Sequence, residues 1–78
     1  MKKMTKAQFI EWAQTHEYQL DRFGHMHKEK NGKFYRFKLS RIAVRFEYKS
    51  KAGWVRLKSG YFSQLTITPE GQIEGMTR

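Results

Sequence analysis

The chain has 78 residues, with 16 Lys and Arg against 7 Asp and Glu, which leaves a net charge of +9 and an isoelectric point near 10.1. A chain of this length makes one domain with one small core, because a domain of roughly 60 residues buries only about 60% of the surface its unfolded chain exposes, and no volume remains for an enclosed active-site chamber. Without a cysteine there is neither a disulfide framework nor a thiolate zinc site, and no apolar run approaches the roughly 20 residues of a membrane span.

Residues 1–3 read as a mobile basic end that leads into an amphipathic helix rather than a signal-peptide core, so a soluble, cytoplasmic protein with no membrane partner is expected. Thr5 followed by Gln8 is a capping box, and Met4 with Phe9 stands at the spacing of a hydrophobic staple. A helix is therefore predicted over 6–15. Phe9, Ile10, Trp12 and Ala13 form its apolar stripe, and it is too short to stand without a sheet beneath it.

Residues 17–28 read as an irregular first strand, in which Tyr18 and Leu20 share a face, Phe23 falls on the other, and Gly24 marks a bulge. Asn31-Gly32 is the strongest short-range hairpin signal, since a type I′ turn needs positive φ at both central positions. Ser40-Arg41 breaks the run over 34–39 from the one over 42–49, where apolar and polar residues alternate without a fault. Ser50-Lys51-Ala52-Gly53 separates the next strand over 54–58. Residues 59–63 read as a bend, 64–68 alternate again, Pro69-Glu70-Gly71 is turn chemistry, and 72–76 suit a last short strand. The predicted fold is α+β: a short N-terminal helix packed on one face of a five- or six-stranded, mostly antiparallel meander with enough curl to approach a small barrel.

With turns of two, two and four residues, cross-strand neighbours can be counted off. Met26 faces Phe37 and then Val44, Tyr35 faces Phe46 and then Leu57, and Tyr48 faces Val55. With Leu39 and Ile42 these make the apolar face on which the helix lies. On the opposite face His27, Arg36, Arg45 and Lys58 fall into one row, beside a row of Phe34, Glu47 and Arg56. Trp54 stands next to Lys49 at one end, and His25 next to Lys38 at the other. Like charges directly opposite one another cost a few tenths of a kcal/mol and up to about 1 kcal/mol per pair, so a row that accepts them implies an anionic partner.

Three functions compete for this surface. The first is binding of single-stranded nucleic acid or structured RNA, with Arg36, Lys38, Arg45, Lys49, Arg56, Lys58 and His27 meeting phosphates and Trp54 stacking on a base. Phe34 is a weaker stacking ring because Glu47 lies beside it. The predicted helix carries Lys6 but otherwise Gln8, Glu11 and Gln14 on its polar side, a poor match for the major groove of a duplex. The second is an adaptor that docks an acidic protein, anchored by Trp54 and by whichever of the consecutive Tyr61 and Phe62 is exposed.

The third rests on histidine. His25 and His27 point to one side of a strand, but with His16 they lack the ligand set of a zinc site, and Arg36 and Lys38 would repel a cation, so neither a metal nor any cofactor is expected. The helix followed by Gly24-His25 and the Asn31-Gly32 turn loosely resembles the start of HicA-type mRNA interferase toxins, which use a histidine on a double-stranded-RNA-binding-like fold. That resemblance implies a histidine-dependent ribonuclease; it covers the first half only, and 64–76 reads as strand where that fold has its C-terminal helix. No phosphate-binding glycine loop, paired acid set or nucleophile with a base is present, so a binding protein rather than an enzyme is expected.

Overall fold

The computed structural model describes residues 4–78; the basic N-terminal end over 1–3 lies outside the described residues. Helix α1 (Lys6–Thr15) opens on the expected capping box: Thr5 Oγ1 accepts from the Gln8 N–H at 3.2 Å and Gln8 Oε1 accepts from the Thr5 N–H at 2.9 Å. It closes on a Schellman motif. The Tyr18 N–H reaches the Ala13 carbonyl, the Glu17 N–H reaches that of Gln14, and Glu17 takes the left-handed φ of 71° that this ending requires.

Five strands follow as an antiparallel meander in the order β1 (Gln19–Leu20), β2 (Met26–Lys30), β3 (Lys33–Leu39), β4 (Ala43–Ser50) and β5 (Gly53–Tyr61). A 3-10 turn, Phe62–Gln64, leads to a separate two-stranded sheet of β6 (Thr66–Ile67) and β7 (Ile73–Glu74). The fold is α+β, and the larger sheet stays open with β1 and β5 as its edges. Ser59 on the outer edge of β5 exchanges two backbone hydrogen bonds with Thr77. Among the described residues, no helix is long and apolar enough to cross a membrane.

The predicted first strand is two strands. Asp21 Oδ1 accepts from the N–H groups of Phe23 (2.8 Å) and His25 (3.0 Å), so residues 21–24 leave the sheet as a side-chain-closed turn, with Gly24 at a φ of 83°. Phe23 lies in that turn, exposed, and not on a strand face. Asn31 (φ 54°) and Gly32 (φ 78°) make the type I′ turn that their sequence dictates, and Met26 faces Phe37 as counted.

The next turn is displaced. Its central residues are Arg41 and Ile42, closed by the Ser40 N–H on the Ala43 carbonyl at 2.9 Å and by the Ser40 hydroxyl bonding the Ala43 backbone twice. The β3–β4 register therefore slips by two: Phe37 faces Phe46 rather than Val44, and Tyr35 faces Tyr48 rather than Phe46. A slip of two leaves every side chain on its own face. At the β4–β5 turn the loop has two residues instead of four, yet the register is unchanged and Tyr48 faces Val55. Beyond it a β-bulge between Phe46 and Glu47 leaves Leu57 without a counterpart in β4, and from there on β5 is out of phase with the counted register. β5 also runs on to Tyr61, so of the bend predicted over 59–63 only 62–63 leave the strand, in the 3-10 turn, while the predicted strands over 64–68 and 72–76 shorten to two residues each.

The core lies where α1 meets one end of the sheet. Phe9 and Ala13, fully buried, pack with Met4 on Met26, Phe37, Leu39 and Val44, and Phe62 and Leu65 close the remaining side. The Phe9 and Phe37 rings meet edge to face at 4.9 Å, a favoured aromatic arrangement. Trp12 Nε1 donates to the Gly71 carbonyl at 2.7 Å, which ties the helix to the β6–β7 turn. Gly75, at a φ of 111°, passes so close to Gln64 that a Cβ would collide with its carbonyl. The helix covers less of the apolar face than predicted: Ile42 sits exposed in its turn, and Val55 and Leu57 remain partly in solvent.

Candidate functional site

On the face opposite α1 the observed row across the sheet is Gln19, His27, Arg36, Glu47, Arg56. The continuous row of cations is thus interrupted. Arg36 faces Glu47 instead of Arg45 and its Nε donates to Oε1 at 2.7 Å, while Arg45 Nη1 stands 3.8 Å from Oε2. Glu47 is 5% exposed, so removing either partner leaves a buried carboxylate less well compensated. The Arg36 guanidinium lies 4.1 Å from the centre of the Trp54 ring, and the Lys49 ammonium 5.5 Å. Trp54, the expected base-stacking ring, is half-buried and already engaged on Arg36. Phe34 faces Glu29 rather than standing beside Glu47, and is half exposed.

Lys58 is not on this face. The bulge turns it to the helix side, opposite Phe46, with its ammonium 5.9 Å from that ring. Of the remaining predicted contacts, Lys49 is beside Trp54 as counted, Arg56 is exposed opposite Glu47, and His27 is exposed opposite Arg36. His27 Nδ1 is 3.7 Å from Asp21 Oδ2. Burial alone would push the Asp21 carboxyl up, but the N–H groups of His25 and Phe23 and the two neighbouring imidazoles outweigh it and hold the group below the ordinary carboxylate range.

The like-charge contact occurs two residues further along the same strands. Lys38 directly faces Arg45, which faces Ser59 on β5. Together with Ser40, Gly60 and Tyr61 they line a cleft of about 300 Å³. Among the described residues Lys38 has no carboxylate within ion-pair distance, and Arg45 has only the long contact to Glu47. Tyr61 is 52% exposed at the rim, whereas Phe62 is a core residue, which settles which of that pair is available. Two cations, a serine hydroxyl and an exposed ring can hold a phosphate and lay a planar group beside it.

A second set of cations lies on the helix side of the sheet. Lys28, Tyr35, Tyr48 and Val55 face one another in a row next to Phe37, Phe46 and Lys58, and Lys30 faces Lys33 at the hairpin. The Tyr35 and Phe46 rings are almost parallel, 9° apart in tilt and 5.8 Å between centres. Lys28 donates to the His16 carbonyl and its ammonium stands 5.0 Å from the Tyr18 ring. Burial, with Tyr35 nearby, pushes the Tyr18 hydroxyl up from its ordinary value.

The histidines do not converge. Among the described residues no three His, Asp or Glu side chains are placed to hold a metal ion. His16 stacks on Trp12, and His25 Nδ1 accepts from the Leu39 N–H at 3.0 Å, so that lone pair is committed to the backbone. The sequence reading missed Glu47 as the partner of Arg36, Ser59 and Tyr61 as neighbours of Arg45, and the lysine-ringed aromatics. The first had a signal: of two registers that keep the faces intact, the one that sets Arg36 against Glu47 is favoured over the one that sets it against Arg45. No protein-family model, curated protein or solved structure matches the chain.

Proposed function

We propose that the protein is a non-enzymatic nucleic-acid-binding protein that engages the phosphate backbone of single-stranded nucleic acid or structured RNA through the sheet face opposite α1. The observation that carries this reading is the Lys38–Arg45 pair. Like charges directly opposite across two strands destabilise the sheet, and among the described residues no carboxylate lies within ion-pair distance of Lys38. A bound phosphate turns that repulsion into attraction. Lys49, Arg56 and His27 extend the positive field along the face, Tyr61 offers a ring beside the cleft, and the net charge of +9 favours encounter with a polyanion.

A second reading, docking of an acidic protein, is favoured by the exposed Tyr61 and Ile42 close to the same cleft. Fluorescence anisotropy against labelled single-stranded RNA, single-stranded DNA, duplex DNA and an acidic peptide, at two salt concentrations, separates the two. Nucleic-acid binding predicts an affinity that falls steeply with salt, by a slope of about 0.7 per phosphate contact for a single strand. It also predicts a loss in Lys38→Glu/Arg45→Gln, a pair that leaves Arg36 on Glu47. Binding that ignores both salt and this variant would sink the proposal.

A further inference from the structure

We infer that the half of the helix-side sheet face only partly covered by α1 is a stacking platform for unpaired bases, with Tyr35, Phe46 and Tyr48 as the rings and Lys30, Lys33 and Lys58 as phosphate contacts. The inference rests on the nucleic-acid reading above and adds a second surface and a substrate class to it: a strand whose bases are free, not a duplex.

Three observations point to this occupant. First, the rings are half-buried instead of covered: α1, the 3-10 turn and Leu65 pack over Phe37, Leu39 and Val44, Phe46 packs against the edge of that core, and Tyr35, Phe46 and Tyr48 all keep part of their surface in solvent beside the exposed Val55. Second, the Tyr35 and Phe46 rings are stacked almost parallel at 5.8 Å, so they form an aromatic pair whose stack an unpaired base can continue. Third, the charged side chains that the strands place around them are lysines, with Glu70 of the β6–β7 turn lining the same cleft as Phe46 and Lys58. Lys30 directly faces Lys33, and Lys58 takes the place next to Phe46 only because of the bulge in β5. Among the described residues none of these lysines has a carboxylate within ion-pair distance. A protein partner with an acidic surface would match the charge but would gain nothing from the parallel rings. A paired duplex hides its base faces within the stack, so it would meet the lysines alone.

The test compares a labelled thymidine oligomer of ~12 nucleotides, within the range of known single-strand site sizes, with an abasic oligomer carrying the same number of phosphates. Titration by fluorescence anisotropy should show the thymidine oligomer binding about tenfold more tightly or better, since each base stack is worth at least a factor of about five. Tyr35→Leu/Tyr48→Leu keeps the apolar face but should erase that preference, whereas Lys38→Glu/Arg45→Gln on the other face should weaken both oligomers and keep their ratio. Lys30→Gln/Lys33→Gln, at an exposed hairpin where folding is not at stake, should reduce the salt slope by about 1.4, two contacts at about 0.7 each. Equal binding of the two oligomers by the native protein would overturn the platform while leaving nucleic-acid binding intact. A preference that survives the tyrosine pair, or polyglutamate competing as well as thymidine, would overturn it too. No binding of either oligomer at low salt would sink the nucleic-acid reading itself.

Discussion

Two pairs of residues on the same two strands, one step apart along the sheet, do opposite things. Arg36 faces Glu47 and the pair is buried under Trp54; Lys38 faces Arg45 and the pair lines an open cleft. In the first, a basic side chain is consumed by the fold, since burying a carboxylate that is 5% exposed is costly without a partner at hydrogen-bond distance. In the second, the fold tolerates repulsion and leaves the charges available to something else. A count of Lys and Arg on a face therefore overstates its capacity for anions. Which cations are free is decided one cross-strand partner at a time.

The contrast breaks most visibly at Arg36. Arg36→Met leaves Glu47 with only the distant Arg45, and should cost about 3 kcal/mol, the lower end for one partner of a buried pair. For a domain of this size that is a fall in Tm of more than about 10 °C by circular dichroism. The double variant Arg36→Met/Glu47→Leu should recover most of this, because replacing both members with apolar groups of similar volume is close to neutral. A double variant as unstable as the single would show that the pair acts through something other than charge.

Trp54→Ala should cost less, about 1–2 kcal/mol, by removing the ring stacked on the Arg36 guanidinium. Thermal unfolding measures it, and in the Arg36→Met/Glu47→Leu background the effect should shrink. At the cleft the sign reverses: Lys38→Glu should leave stability unchanged or raise it by up to about 1 kcal/mol, while nucleic-acid affinity falls. A Lys38→Glu protein that melts well below the native one would remove the functional account of that pair.

The smallest effect belongs to Asp21, an acid anchored by backbone amides and not by a guanidinium. Its folded pKa is lowered, so its stabilisation is complete above the ordinary carboxylate value of about 3.9 and is lost as pH falls through the lower folded value. Native protein and Asp21→Ala should differ at neutral pH and converge in strong acid. A gap unchanged down to pH ~2, below the ordinary value, would mean that the turn is held by something other than this charge.

Several parts of the fold were legible without coordinates because their causes are local. Thr5 and Gln8 cap the helix with their own side chains, Asn31-Gly32 takes positive φ at both positions, and the alternation over 42–49 assigns each residue of β4 to a face. Each of these needs only neighbours a few residues away. The turn over 40–43 carries neither glycine nor asparagine, so nothing local chooses between two placements one residue apart, which set strand registers that differ by two. Alternation cannot choose either, since a slip of two returns every side chain to its own face.

Tertiary structure made that choice by setting Phe37 on Phe46 and Arg36 on Glu47. It also placed the bulge beside Leu57, where one extra residue carried Lys58 from the polar face to the aromatic one. The sequence by itself determined the helix, the Asn31-Gly32 hairpin and which residues of β3 and β4 share a face, because periodicity and capping act within a strand or a turn of helix. Only the packed sheet decided which charge meets which, because that depends on partners brought together from different strands.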